Sequence, residues 1–77
     1  MTVGFVFISS APMREQDIYN ELSKIKEIVD LHPLFGDYDL IAKVEAEDLN
    51  RLSQVVVDKI RSVPGIIDTK TLTGMLP

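Results

Sequence analysis

Four consecutive residues, Gly36-Asp37-Tyr38-Asp39, carry the groups best suited to holding a small zwitterion. Gly36 tolerates positive φ at no steric cost, so a glycine turn can present backbone N–H groups to a carboxylate. Asp39 supplies a carboxylate that can take an ammonium group, and Tyr38 sets a phenol beside it. Those two halves describe the head group of an α-amino acid. The plainer reading is turn chemistry, because Gly-Asp is ordinary hairpin sequence and an aspartate readily bonds its own turn backbone. Thr69 and Thr71, two residues apart, point to one side of a strand and offer hydroxyls as donors or acceptors. Threonine also favours strands for reasons of shape alone.

Catalytic and metal chemistry find less support. The chain has one histidine, His32, and no cysteine. Ser9, Ser10, Ser53 and Ser62 have no His/Asp company in sequence, and no HExxH, glycine-rich phosphate loop or acid-rich metal loop occurs. A lone histidine is more often a surface or satisfied structural residue than a general base. No cofactor and no metal site is expected. Eight Lys and Arg against twelve Asp and Glu leave a net charge of −4, and the basic residues are scattered. Such a surface repels phosphate backbones and anionic lipid heads, which disfavours direct binding of nucleic acid or membrane. Residues 1–10 are apolar, but they lack a basic n-region and fall short of the roughly 20 residues a bilayer span needs. They read as a strand in a cytoplasmic protein.

The elements that must position the turn follow from hydrophobic spacing. Residues 2–9 form a continuous β-branched and aromatic run, the pattern of a strand covered on both faces, with Val3, Phe5 and Phe7 on one side and Val6 and Ile8 on the other. Pro12 suits a first helical turn, and Ile18, Leu22 and Ile25 recur at helical spacing, which predicts a helix over 13–25. A second strand over 27–35 contains Pro33, which cannot donate to a ladder and therefore belongs at a sheet edge. The turn at Gly36-Asp37 reverses the chain into a strand over 38–46, where Leu40, Ala42 and Val44 alternate with Ile41, Lys43 and Glu45. A second helix over 48–63 places Leu49, Leu52, Val56, Ile60 and Val63 on one stripe, with acidic residues at its start and Lys59 and Arg61 near its end, as the helix dipole favours. Pro64-Gly65 stops it, and a last strand runs over 66–74.

The order β-α-β-β-α-β predicts one α+β domain over 1–77 with a ferredoxin-like fold: a four-stranded antiparallel sheet with two helices on one face and the first and third strands central. A chain of 77 residues buries only about 60% of its unfolded surface. On the bare side of the sheet Val3, Phe5, Phe7, Ile41, Leu72 and either Val29 or Ile28 remain uncovered. Burying such side chains contributes on the order of 1.5–3 kcal/mol each, so a second copy packed sheet against sheet is predicted, an obligate homodimer of the dimeric α/β-barrel type.

With the turn and the second helix in place, the sequence resembles the effector-binding domain, or RAM domain, of the Lrp/AsnC family of amino-acid-responsive transcription regulators. The resemblance rests on Phe35-Gly36-Asp37-Tyr38-Asp39-Leu40-Ile41-Ala42-Lys43-Val44, which is similar to the family's Gly-x-Tyr-Asp and a strand ending in Lys-Val. It rests equally on Ile60-Arg61-Ser62-Val63-Pro64-Gly65-Ile66-Ile67-Asp68-Thr69-Lys70-Thr71, similar to the family's helix, Pro-Gly-Val and Thr-x-Thr. The resemblance implies sheet-to-sheet dimers, rings of dimers (an octamer or decamer), and an amino acid effector bound between dimers near the turn. By position, Gly36 and Tyr38 would offer backbone contacts within the turn that Asp37 completes, Asp39 would be the ammonium partner, Thr69 and Thr71 would add polar contacts, and a neighbouring subunit would close the pocket.

Regulators of this family carry an N-terminal helix-turn-helix domain, whereas this chain begins at its first strand. The expectation is a stand-alone form, not an enzyme, that modulates amino-acid-responsive transcription without binding DNA itself, by mixed assembly with full-length Lrp-like regulators. Pro33, just before the turn, departs from the family's usual pattern. The alternative is a small dimeric α/β-barrel enzyme of the monooxygenase type, which requires a cavity inside the dimer with His32 or another polar group aimed into it. A purely structural subunit that binds nothing is the third reading.

Overall fold

The computed structural model describes residues 1–73. The chain forms β1 (Thr2–Ser10), α1 (Glu15–Leu22), β2 (Ile28–Pro33), β3 (Leu40–Ala46), α2 (Leu49–Val55), a π-helical turn (Val56–Ile60) that continues α2, and β4 (Ile66–Thr73). The predicted end of the last strand at Gly74 lies outside the described residues. The sheet has the order β2-β3-β1-β4 with every pair antiparallel, the ferredoxin-like arrangement, so β1 and β3 are central. Pro33 ends edge strand β2, where its missing N–H interrupts no inner ladder.

Pairing register decides what each face holds. Val6 lies opposite Ala42 and Ile8 opposite Leu40, and these residues with Val44, Ile18, Leu22, Leu52, Val55, Val56 and Ile60 make the core between the sheet and both helices. The other face of β1 pairs Phe5 with Lys43 and Phe7 with Ile41 on β3, and Phe5 with Leu72 on β4. Among the described residues no helix covers that face, and Phe5 and Leu72 are 41% and 48% exposed. Strand β2 resolves the choice between Ile28 and Val29: its register shifts between Ile28 and Asp30, so Ile28 packs on the core while Val29 stays exposed. A bulge of this kind lets one strand carry an extra residue without moving the rest of its pairing.

The helices depart from their predicted lengths for physical reasons. Pro12 does not enter the first helical turn. Ala11 donates its N–H to the Gly65 carbonyl at 2.7 Å, which ties the end of β1 to the start of β4, and Met13 then takes a left-handed conformation at φ 66° before α1 begins at Glu15. At its other end α1 stops at Leu22, and Ile25 follows in a turn against the core. In the second helix Leu49 is exposed and Val55, outside the predicted stripe, is buried. Leu52, Val56 and Ile60 are spaced by four, which overshoots a 3.6-residue turn by about 40° at each step. The wider π turn, closed by Arg61 N–H to the Val56 carbonyl at 2.9 Å, takes up part of that drift and keeps Ile60 on the sheet. Asp48 caps the start of α2, its Oδ1 accepting from Arg51 N–H at 2.8 Å.

One polar cluster ties the second helix to the hairpin. Glu27, just before β2, is buried to 9% exposure; Lys59 Nζ reaches its two carboxylate oxygens at 3.0 and 3.1 Å, and Arg51 Nη2 reaches Oε2 at 3.2 Å. Its carbonyl also accepts from Glu45 N–H at 2.9 Å, so the same residue is held to β3. Among the described residues no helix is long and apolar enough to cross a membrane.

Candidate functional site

The hairpin corner is built by long-range ties and not by the turn alone. Leu34 N–H donates to the Asp39 carbonyl at 2.8 Å and closes the loop between β2 and β3, while Asp39 N–H donates to the Ile8 carbonyl at 2.8 Å and fixes the corner to β1. Gly36 sits at φ 118°, a backbone conformation that an L side chain rarely adopts, at the exposed apex. Asp37 contributes its carbonyl, which accepts from Ser9 Oγ at 3.3 Å; its own carboxylate makes no turn hydrogen bond among the described residues, contrary to the simple turn reading.

Asp39 has a divided role. Its Oδ2 accepts from Ser10 N–H at 2.8 Å and from Ser10 Oγ at 3.3 Å, which orients the carboxylate at the end of β1, and its Oδ1 accepts no hydrogen bond among the described residues. The residue lines an open groove of about 380 Å³ between α1 and the hairpin, together with Gln16, Tyr19, Leu34 and Leu40. A carboxylate held through one oxygen and open at the other is arranged to receive a cation, at no further cost in side-chain ordering. Tyr38 lies elsewhere: its ring packs on Phe7 with centroids 5.5 Å apart and planes tilted by 49°, on the bare face of the sheet.

Thr69 and Thr71 do share one side of β4, as predicted, and register places that side. Thr69 pairs with Ile8 and Thr71 with Val6, so both hydroxyls stand on the helix-covered face. There they line a second groove of about 270 Å³ with Ser53, Val56, Val57 and Arg61. Among the described residues the two grooves have no lining residue in common. Within one subunit, therefore, the corner and the threonines occupy separate sites on either side of β1. Sequence reasoning weighs Ser10 and Ser53 only as nucleophiles, and gives Arg61 no ligand-binding role. Ser10 could have been found only from the β1–β3 register, and Arg61 was assigned solely to the helix dipole.

An uncharacterized HTH-type transcriptional regulator of Pyrococcus horikoshii is 24% identical over 78 residues, covering 97% of this chain and 52% of that protein. The chain spans about half the length of the curated relatives it matches first. The crystal structure of FFRP-DM1 superposes with a TM-score of 0.93 at 32% identity, covering 97% of this chain and 100% of that one. A Neisseria meningitidis transcriptional regulator in complex with L-Met shares the fold, with a TM-score of 0.86 at 19% identity over 97% of this chain and 50% of that one. The family model of the Lrp/AsnC ligand binding domain matches residues 3–75, and the chain belongs to that family.

Proposed function

We propose that residues 1–77 act as one effector-binding and assembly module that takes an amino acid, without catalysis, and modulates amino-acid-responsive transcription in the cytoplasm. The observation that carries this reading is Asp39: a carboxylate oriented by Ser10 through Oδ2, with no hydrogen bond to Oδ1 among the described residues, on a residue that lines a groove together with Glu15. Asp39 takes the α-ammonium, and backbone groups of Gly36, Asp37 and Tyr38 meet the α-carboxylate. Thr69 and Thr71 make the polar contacts to the rest of the ligand.

Because Asp39 and the threonines line separate grooves, one ligand touching both must lie between subunits. Sheet-to-sheet homodimers, gathered into a ring of four or five dimers, supply that neighbour, and the same contacts allow mixed assembly with full-length Lrp-like regulators. The net charge of −4 argues against DNA contact by this module itself. The bound L-Met of the Neisseria meningitidis regulator, a protein of the same fold, supports an amino acid as the ligand class.

Isothermal titration of the standard amino acids into the intact protein tests the reading, with Asp39→Asn as the control. Asparagine keeps an acceptor for Ser10 N–H but loses the charge, so the affinity is expected to fall by about tenfold or more. Unchanged binding by Asp39→Asn, or no binding by the parent protein, overturns the assignment.

A further inference from the structure

The groove that holds Thr69 and Thr71 has a charge character of its own. Three arginines occur in the chain. Arg14 pairs with Asp17 and Arg51 with Glu27, whereas the Arg61 guanidinium has no carboxylate within 4.0 Å among the described residues. Asp58, three residues earlier on the same helix, makes no ion pair with Arg61 among the described residues, and Asp68, which lines with Arg61 a smaller recess of about 130 Å³, accepts at Oδ1 from Thr69 N–H at 3.0 Å. Arg61 thus lines two recesses without a carboxylate partner among the described residues.

The residues around it complete a recognisable chemistry. Ser53, Thr69 and Thr71 bring three hydroxyls to the larger groove, Val56 and Val57 give it apolar walls, and among the described residues no acidic one lines it. A guanidinium presents its donors in a planar fork that matches a carboxylate at two points, and hydroxyls can donate to the same oxygens. The apolar walls suit a short methylene chain. A lysine or arginine side chain entering here would meet a like charge with no carboxylate to balance it. A cation near a helix C-terminus is favourable in itself, but a lysine would serve the dipole equally well. On an acidic protein, one uncompensated arginine is also the local feature that would let an anion approach.

We infer that the groove at Arg61 selects an amino acid with an anionic side chain, so that the effector is dicarboxylic: its side-chain carboxylate pairs with Arg61 and its methylenes lie on Val56 and Val57. This inference rests on the effector reading above, with Asp39 of a neighbouring subunit taking the ammonium group.

The test titrates L-Glu, L-Asp, L-Gln, L-Asn, L-Leu and L-Lys into the assembled parent protein and into Arg61→Gln and Arg61→Lys. Arg61 is exposed, so both variants are expected to fold, and circular dichroism with size-exclusion chromatography checks this. The parent is expected to prefer L-Glu or L-Asp over the matching amide by about tenfold or more. Arg61→Gln should erase that preference, and Arg61→Lys should restore part of it, since the charge returns without the fork. Tighter or equal binding of L-Gln, L-Asn, L-Leu or L-Lys overturns the selectivity and leaves the effector reading standing. An acidic preference that survives Arg61→Gln overturns the role of Arg61. Failure of all six ligands and of the remaining standard amino acids overturns both readings together.

Discussion

Replacing Phe5 by aspartate is expected to convert the assembled protein into monomers. Phe5 lies at the centre of the bare sheet face, flanked by Lys43 on β3 and Leu72 on β4, and it is 41% exposed in the single subunit. In a two-fold sheet-to-sheet dimer the same patch is used by both copies, so one substitution places two carboxylates in the interface. Each lost aromatic burial costs about 1.5–3 kcal/mol, and taking charged groups out of water between the two sheets costs more, even where Lys43 pairs with the new carboxylate. Within its own subunit, however, an aspartate at position 5 finds Lys43 directly across the strand pair, which favours opposite charges. The substitution should therefore strike association much harder than the fold. Light scattering coupled to size-exclusion chromatography is expected to report the mass of one chain, with the circular dichroism of a folded subunit. An unchanged oligomeric mass would show that copies meet elsewhere than on this face.

The second large effect is expected at Glu27. Burial alone pushes this carboxyl up, but the hydrogen bonds from Lys59 and from its own backbone N–H, with the charges of Lys59 and Arg51, outweigh it and hold the group below the ordinary glutamate value. The unfolded chain therefore binds the proton more readily than the folded one. The resulting stability is fully present above the unfolded pKa and is lost as pH falls through the lower, folded pKa. Lys59 and Arg51 are 38% and 45% exposed and regain water when the partner is removed, so the cost lies below that of a fully buried pair. Glu27→Gln is expected to destabilise by about 2 kcal/mol, or to lower Tm by about 10 °C, at neutral pH. It should also flatten the acid limb of the stability profile. Glu21→Gln, which removes an exposed pair with Lys24, should change stability by no more than about 0.5 kcal/mol. Equal effects at the two positions, measured by urea unfolding across pH, would contradict this account of the cluster.

Much of the architecture was legible because it is written in short-range pattern. The alternation of Leu40, Ala42 and Val44 against Ile41, Lys43 and Glu45 set both the strand and its faces, and Pro33 marked the edge. What the local pattern does not carry depends on contacts between distant residues. The left-handed Met13 answers to a hydrogen bond between Ala11 and Gly65, the π turn answers to the fit of Ile60 on the sheet, and the displaced Val29 answers to a register shift. The candidate site divides in the same way. The positive φ of Gly36 was readable locally, but the face on which Thr69 and Thr71 stand is fixed by pairing with Ile8 and Val6, and the Asp39 carboxylate meets Ser10 only across β1 and β3. The two grooves share no lining residue among the described residues of one subunit, and the proposed contact between subunits is drawn from that division.

A crystal of the assembled protein soaked in a mixture of the standard amino acids tests the central claim most directly. The expected result is density for one zwitterion per chain between subunits, its ammonium on Asp39 of one and its side chain against Thr69 and Thr71 of another. Density inside the sheet-to-sheet dimer, on the face that carries His32, or no bound amino acid at all, would contradict it.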